Sequence, residues 1–262
     1  MRPAPRPLKA VLSGGAALIV LAVTLGGCGN DSTDAGDAPS TSALTLDQAT
    51  LLAGVLLRNT SDGGATFQLA ARSDQGPGTI MLTGEVDWEA HTGHAFVVGA
   101  GSEEHVLEVH WNENAILERR ADMLVLADVV GPEVEWVLRP VDLTRRLDQL
   151  VAIVGGLAGT QSDNPLLVQQ QVGSAFMRAD ELRGSPVEVL RYGTRNTYWI
   201  DADGEMLRFE GNNEAGNAPV VVDVISRGPQ TIEAPEANTV VDISQISAVW
   251  EAVVGPGGQP ST

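Results

Sequence analysis

Four histidines and a nearby carboxylate offer the most varied chemistry in this chain of 262 residues. His91 and His94 stand three apart in His91-Thr92-Gly93-His94, and His105, Glu108 and His110 follow one hairpin later. Imidazole nitrogens with a carboxylate can hold zinc or copper. But His91 and His94 fall at a turn and no cysteine supports them, so they read as solvated turn and strand histidines, with no metal. Asp201-Ala202-Asp203-Gly204 begins like a calcium loop, which would need a glutamate at its twelfth position. Asn212 stands there, and the four residues read as a hairpin turn. The sequence contains no Gly-x-Ser-x-Gly elbow, no glycine-rich phosphate loop and no His-Glu-x-x-His. The expectation is a protein that is not an enzyme and carries no cofactor.

The remaining reactive group is the thiol of Cys28, the sole cysteine, which excludes an intramolecular disulfide. Arg2, Arg6 and Lys9 make a basic start, Val11 to Leu25 is apolar, and Gly26 and Gly27 precede the cysteine. That is the layout of a signal peptide over residues 1–27. Leu25-Gly26-Gly27-Cys28 resembles a bacterial lipobox. The resemblance implies cleavage before Cys28, acylation of its thiol, and anchoring to the extracytoplasmic face of the cell membrane. Two acyl chains suffice for stable anchoring, at about 0.8 kcal/mol per buried methylene. The alternatives are an ordinary signal peptide and an uncleaved anchor. The apolar stretch is short for the latter, since a span needs about 20 residues.

All 34 acidic residues lie beyond residue 27, against 13 arginines and no lysine, a net charge of −21. So acidic a surface argues against nucleic-acid binding. It also repels anionic headgroups, which leaves the acyl anchor to hold the protein at the membrane. Residues 28–43 are polar and read as a flexible tether. The five tryptophans are spread along the chain and form no sugar-binding platform.

Thr45-Leu46-Asp47-Gln48 has capping-box spacing and opens a helix with Ala49, Leu52, Ala53 and Leu56 on one face. From about 65 to 140, apolar and polar residues alternate, as in Phe67, Leu69 and Ala71, in Ile80, Leu82, Val86 and Trp88, and in Leu107, Val109 and Trp111. Period two predicts half-buried antiparallel strands. The period then changes. Asp142 reads as an N-cap, and Leu143, Leu147, Leu150, Val151, Val154 and Leu157 make a helical stripe. Asn164-Pro165 opens a second helix, with Val168, Val172, Ala175, Phe176, Ala179 and Leu182 on one side, ending at Gly184. Strands return over Val187–Tyr192, Asn196–Asp201, Met206–Glu210, Val220–Ser226 and Gln230–Glu233. Asp242–Val254 reads as a last helix, and 255–262 as a disordered tail.

This order of elements resembles the lipid-carrier half-barrel lipoproteins of mycobacteria and other actinobacteria, the LppX and LprG type. Those are structurally akin to the LolA and LolB carriers. The residues carrying the resemblance are Leu25 to Cys28, the early helix from Leu46 and the middle helices. To these is added Asn196-Thr197-Tyr198-Trp199-Ile200-Asp201-Ala202-Asp203-Gly204 with its return strand Leu207 to Glu210. The resemblance implies an α+β domain over 44–254. A curved antiparallel half-barrel sheet would have a central helical pair covering its concave face. It further implies an apolar cavity that binds or shuttles a lipid or glycolipid, with Leu143, Leu147, Leu150, Val151, Val154, Val172 and Phe176 as candidate lining. The alternative is a lipid-anchored interaction or regulatory module whose core is filled by those same residues.

Overall fold

Two antiparallel meanders, joined along one strand pair, make up the sheet of this protein. The computed structural model describes residues 41–73, 78–99, 104–121, 123–211 and 219–254. The expected signal peptide, Cys28, most of the tether, Asn212 and the tail lie outside the described residues. Helix α1 (Leu46–Ser61) opens the fold and carries the expected capping box. The Gln48 N–H donates to Thr45 Oγ1 at 3.2 Å, and the Thr45 N–H donates to Gln48 Oε1 at 3.0 Å.

The first meander follows: β1 (Gly64–Arg72), β2 (Thr79–Asp87), β3 (Thr92–Val98), β4 (Val106–Trp111), β5 (Ala115–Arg120) and β6 (Trp136–Pro140). Helix α2 (Met123–Val130) lies between β5 and β6. Helices α3 (Arg146–Gly155) and α4 (Pro165–Gln170) lead to the second meander. It comprises β7 (Ala175–Leu182), β8 (Ser185–Tyr192), β9 (Asn196–Ile200), β10 (Met206–Gly211) and β11 (Val220–Arg227). A short β12 (Val240–Asp242) and helix α5 (Ile243–Val254) finish it.

The twelve described strands form one large, open, mostly antiparallel sheet in the order β12-β6-β5-β4-β3-β2-β1-β11-β10-β9-β8-β7. The joint is β1 against β11, with Leu69 opposite Val222, and only β12 runs parallel to its neighbour β6. Alternation works as the sequence predicts: Phe67, Leu69, Ile80, Leu82, Leu190, Ile200 and Met206 are buried on the same side. That face packs with Ala49, Leu52, Ala53 and Val55 of α1 and with Leu147, Leu150, Val151 and Val154 of α3 in one core.

The chain path explains why helices cover this face. Strand β6 lies near one edge of the sheet and β7 forms the other, so residues 141–174 must cross its whole width. Helix α3 lies against β3, while α4 packs on α1, which also touches β8 and β9.

The central helical pair therefore differs from the expectation. The first helix starts at Arg146 rather than at Leu143, because Asp142 caps a turn instead. Its Oδ1 accepts from the Thr144 N–H and hydroxyl at 2.9 and 2.7 Å. The second is only Pro165–Gln170. Val172 and Phe176 are not helical: Gly173 takes a φ of +87° and the chain continues as β7. Positive φ at Arg183 and Gly184 then turns β7 into β8, as a two-residue hairpin requires. Helix α1 takes the place of the expected second helix over the sheet. Two smaller differences follow local irregularities. A register shift between Val106 and Glu108 puts Leu107 on the exposed side. Gln230–Glu233 forms no strand, and Val240–Asp242 pairs instead.

These placements predict opposite outcomes for two residues of the expected stripes. Leu150 is fully buried, so Leu150→Ala should lower unfolding stability by about 2–5 kcal/mol. Val172 is 82% exposed, and Val172→Ala should change it by no more than about 0.5 kcal/mol. Urea denaturation of both variants checks this; a large effect at Val172 would restore it to the core.

Candidate functional site

The start of α3 is held by a buried ion-pair cluster. Arg139 on β6 meets Asp148 on α3 with two parallel bonds, Nη1 to Oδ2 at 2.7 Å and Nη2 to Oδ1 at 2.6 Å. Its Nε donates to Glu118 Oε1 on β5 at 2.9 Å. Arg145 Nη2 lies 3.0 Å from the same oxygen, and Arg120 Nη1 lies 3.5 Å from Oε2. The Asp142 N–H completes the cluster by donating to Asp148 Oδ2 at 2.7 Å. All four of Glu118, Arg120, Arg139 and Asp148 are buried. Burial pushes the Glu118 carboxyl up, but Arg139, Arg145 and Arg120 outweigh it and hold it below its ordinary 4.5. Burial likewise opposes the charge on Arg139, and Asp148 and Glu118 outweigh it.

Beyond this clamp, α3 runs between two clefts. The first has a volume of about 370 Å³ and is walled by Val86, Trp88, Trp111, Val151, Ala152 and Gly155, with Asp148 at its base. Trp88 ties its indole N–H to the Val154 carbonyl at 3.1 Å and so fixes the far end of α3. Trp111 lies flat across β3 only because residue 93 is glycine: a Cβ there would sit 1.9 Å from the ring. The second cleft, about 510 Å³, lies between α3 and the ends of β9, β10 and β11. Leu143, Ile153, Phe209 and Val220 give it apolar walls, and Arg146, Gln149, Arg195 and Asn196 give it polar ones. Ala152 lines both.

The seven candidate lining residues separate accordingly. Val151 lines the first cleft and Leu143 the second. Leu147, Leu150 and Val154 are filled core, with at most 1% exposure. Phe176 is partly buried and packs on the main core from β7, and Val172 points to solvent. The tryptophans of the first cleft and the arginines of the second were not among the candidates. Only Gly93, next to an aromatic-rich hairpin, carried a signal for the former.

On the outer face, the structure gathers His94, Glu108 and His110, whose donor atoms all lie within 4.8 Å of one another. The group is satisfied internally. His94 Nε2 and Glu108 Oε1 are 2.7 Å apart, and Arg119 Nε donates to Glu108 Oε2 at 2.6 Å. The His94 and His110 rings stack at 4.3 Å, and His110 meets Trp136 edge-on at 5.0 Å. Burial, reinforced by the charge of His94, pushes His110 down to about 4. Burial raises the Glu108 carboxyl, but His94 and Arg119 outweigh it and lower it. His91 and His105 stand apart from the group at turns; His91 is 3.7 Å from Glu113.

No protein-family model matches this chain, and no curated protein matches it. It is similar to several solved structures. An uncharacterized conserved protein from Thermus thermophilus is 14% identical over 71% of this chain and 94% of that one, with a TM-score of 0.37. A LolA superfamily protein from Nitrosomonas europaea is 10% identical over 73% and 96%, with a TM-score of 0.29. The Pseudomonas aeruginosa MucA/MucB complex is matched at 14% identity over 74% and 59%, with a TM-score of 0.32.

Two outcomes follow from the charges. Arg139→Met leaves Glu118 and Asp148 buried without their main partner and should cost about 3–5 kcal/mol in chemical denaturation. The lowered Glu118 makes its contribution complete above its ordinary value of 4.5 and lost as pH falls below it. Arg139→Met should therefore flatten the acid limb of the stability curve there. The His110 imidazole should titrate by NMR near 4, and the fold should lose stability as pH drops from 6.5 toward that value. A midpoint near 6.5 would show the ring to be solvated.

Proposed function

We propose that this protein is an acyl-anchored lipoprotein of the extracytoplasmic membrane face that binds or shuttles a lipid or glycolipid beside α3. Ala152 carries the reading: one residue of one helix walls two clefts, each within the roughly 300–1,000 Å³ of small-molecule sites. An outward movement of α3 joins the two clefts into one apolar groove between helix and sheet. In this reading the sheet is a half-barrel with α1 and α3 over its concave face. The ion-pair clamp at the start of α3 is the hinge. At the other end, the Trp88 indole bond is the latch, beside Gly155, where an added methyl would meet nothing within 4 Å. Acyl burial supplies about 25 cal/mol per Å² of apolar surface removed from water. No bond is made or broken, so the protein is not an enzyme.

A second reading, the interaction module, is favoured by a different observation. Met81, Phe96, Val98 and Leu107 are exposed on neighbouring strands, with Met81 directly opposite Val98. An exposed apolar group of that kind marks protein contact surfaces.

Native mass spectrometry of the full chain from a lipid-containing host tests the proposal. The expected result is a co-purifying lipid, together with acyl mass on Cys28. Ala152→Phe should lose the lipid while keeping its unfolding midpoint, and Trp88→Phe, which lacks the N–H, should exchange it faster. A clean apo mass with no uptake of added phospholipid or glycolipid would overturn the carrier reading in favour of the interaction module. An unmodified Cys28 would overturn the anchor.

A further inference from the structure

We infer that the cleft between α3 and the ends of β9 to β11 seats a two-oxygen anion, the phosphate or carboxylate head of an amphiphile, on the Nε–Nη2 edge of Arg146. The acyl tail of that amphiphile rests on the lipid-binding reading above; the anion seat rests on the arginine alone.

Arg146 is 4% exposed, yet three of its five N–H donors, one on Nε and two on Nη2, meet no partner. Its Nη1 donates to Gln149 Oε1 at 3.2 Å. Gln149 is held in turn by its own Nε2, which donates to the Leu143 carbonyl at 2.9 Å. This chain of bonds fixes the guanidinium plane. The other edge, Nε and Nη2, is buried and meets no hydrogen-bond partner. Buried polar groups are overwhelmingly partnered, and a buried charge left without a counter-charge is strongly destabilising. The one acid in α3 that could reach back, Asp148, has both oxygens committed to Arg139.

The shape of the idle edge says what fits. Nε and Nη2 carry two parallel N–H groups that match two oxygens of a carboxylate or phosphate. The protein uses this same edge elsewhere: Arg208 Nε and Nη2 each donate to one oxygen of Asp223 at 2.9 Å. At Arg146 the protein supplies the fork and omits the carboxylate. Arg195 and Asn196 also line this cleft and make that part of it polar. Ile153, Phe209 and Val220 line the rest, which suits a tail attached to the anion.

Titration calorimetry on the full chain in maltoside detergent, with octyl phosphate, inorganic phosphate and octanol as probes, tests the seat. Octyl phosphate should bind the wild type. Arg146→Met and Arg146→Lys should each weaken it roughly tenfold or more, since both lose the fork. Octanol should bind all three alike. Arg146→Met should melt no lower than wild type, because it removes an unpaired charge; a purely structural arginine would melt lower and leave phosphate binding unchanged. Gln149→Glu, which places a carboxylate beside the guanidinium, should raise the melting temperature and abolish phosphate binding. Tighter binding of octyl phosphate than of inorganic phosphate identifies a lipid head; equal binding identifies free phosphate as the ligand. Equal affinity of octyl phosphate for wild type and both Arg146 variants overturns the seat and leaves the carrier reading standing. Phosphate binding that needs Arg146, with no octanol bound, upholds the seat and overturns the carrier reading. Binding of none of the probes overturns both.

Discussion

The crossing from β6 to β7 governs this molecule. A sheet built from two meanders joined at β1 and β11 leaves the end of the first and the start of the second at opposite sides. The chain must therefore travel across a face, and whatever lies in that crossing becomes the lid of the core. The bidentate contact of Arg139 with Asp148 fixes where the crossing lands. It sets α3 over β3 and so determines which side chains stand beside the helix and which vanish beneath it. Leu147, Leu150 and Val154 vanish; Val151 is buried at the edge of the first cleft, while Ala152 and Ile153 stand at the side of the helix. Burial of ions is a poor source of stability, but it specifies position, because a misplaced helix would strand two buried carboxylates.

Much of this was legible in the sequence, and the rest failed for identifiable reasons. The capping box at Thr45 and Gln48 is a local signal, and α1 follows it. The alternations from Phe67 to Trp111 are local too, and the register shift beside Leu107 disturbs the last of them. The stretch Val168 to Leu182 misled because its apolar spacing suits a helix, while β7 is a half-exposed edge strand that needs little apolar surface. Arg183-Gly184, a two-residue turn, was the stronger signal. Helix α2 was missed because Met123 to Val130 is apolar almost throughout and shows no period. Most of the clefts were illegible. Arg139, Glu118 and Asp148 are far apart in sequence, and nothing local shows that Arg146 keeps one edge bare.

In so acidic a chain, the placement of the few arginines shapes the surface. Several are spent inside: Arg120, Arg139 and Arg146 are buried, and Arg227 reaches under the end of α1 to Asn59 and Asp62. Others lie nearer the surface in ion pairs, Arg119 with Glu108, Arg178 with Asp180 and Arg208 with Asp223, and the excess of carboxylates is left around them. At the β6 end, Arg120, Arg139 and Arg145 gather on Glu118 and Asp148, so that charge is balanced where it is buried.

The isolated bridge between Ser42 and Phe176 has a mechanical meaning. The Ser42 N–H donates to the Phe176 carbonyl at 3.0 Å, and the Phe176 N–H returns to the Ser42 carbonyl at 2.9 Å. Force arriving along the chain ahead of Ser42 thus meets β7, at the free rim of the sheet, before it reaches α1. The bridge acts as a strain relief, like the clip that keeps a pulled cable from loading its solder joint. Two bonds yield first, and the core beneath α1 is loaded only after they have gone.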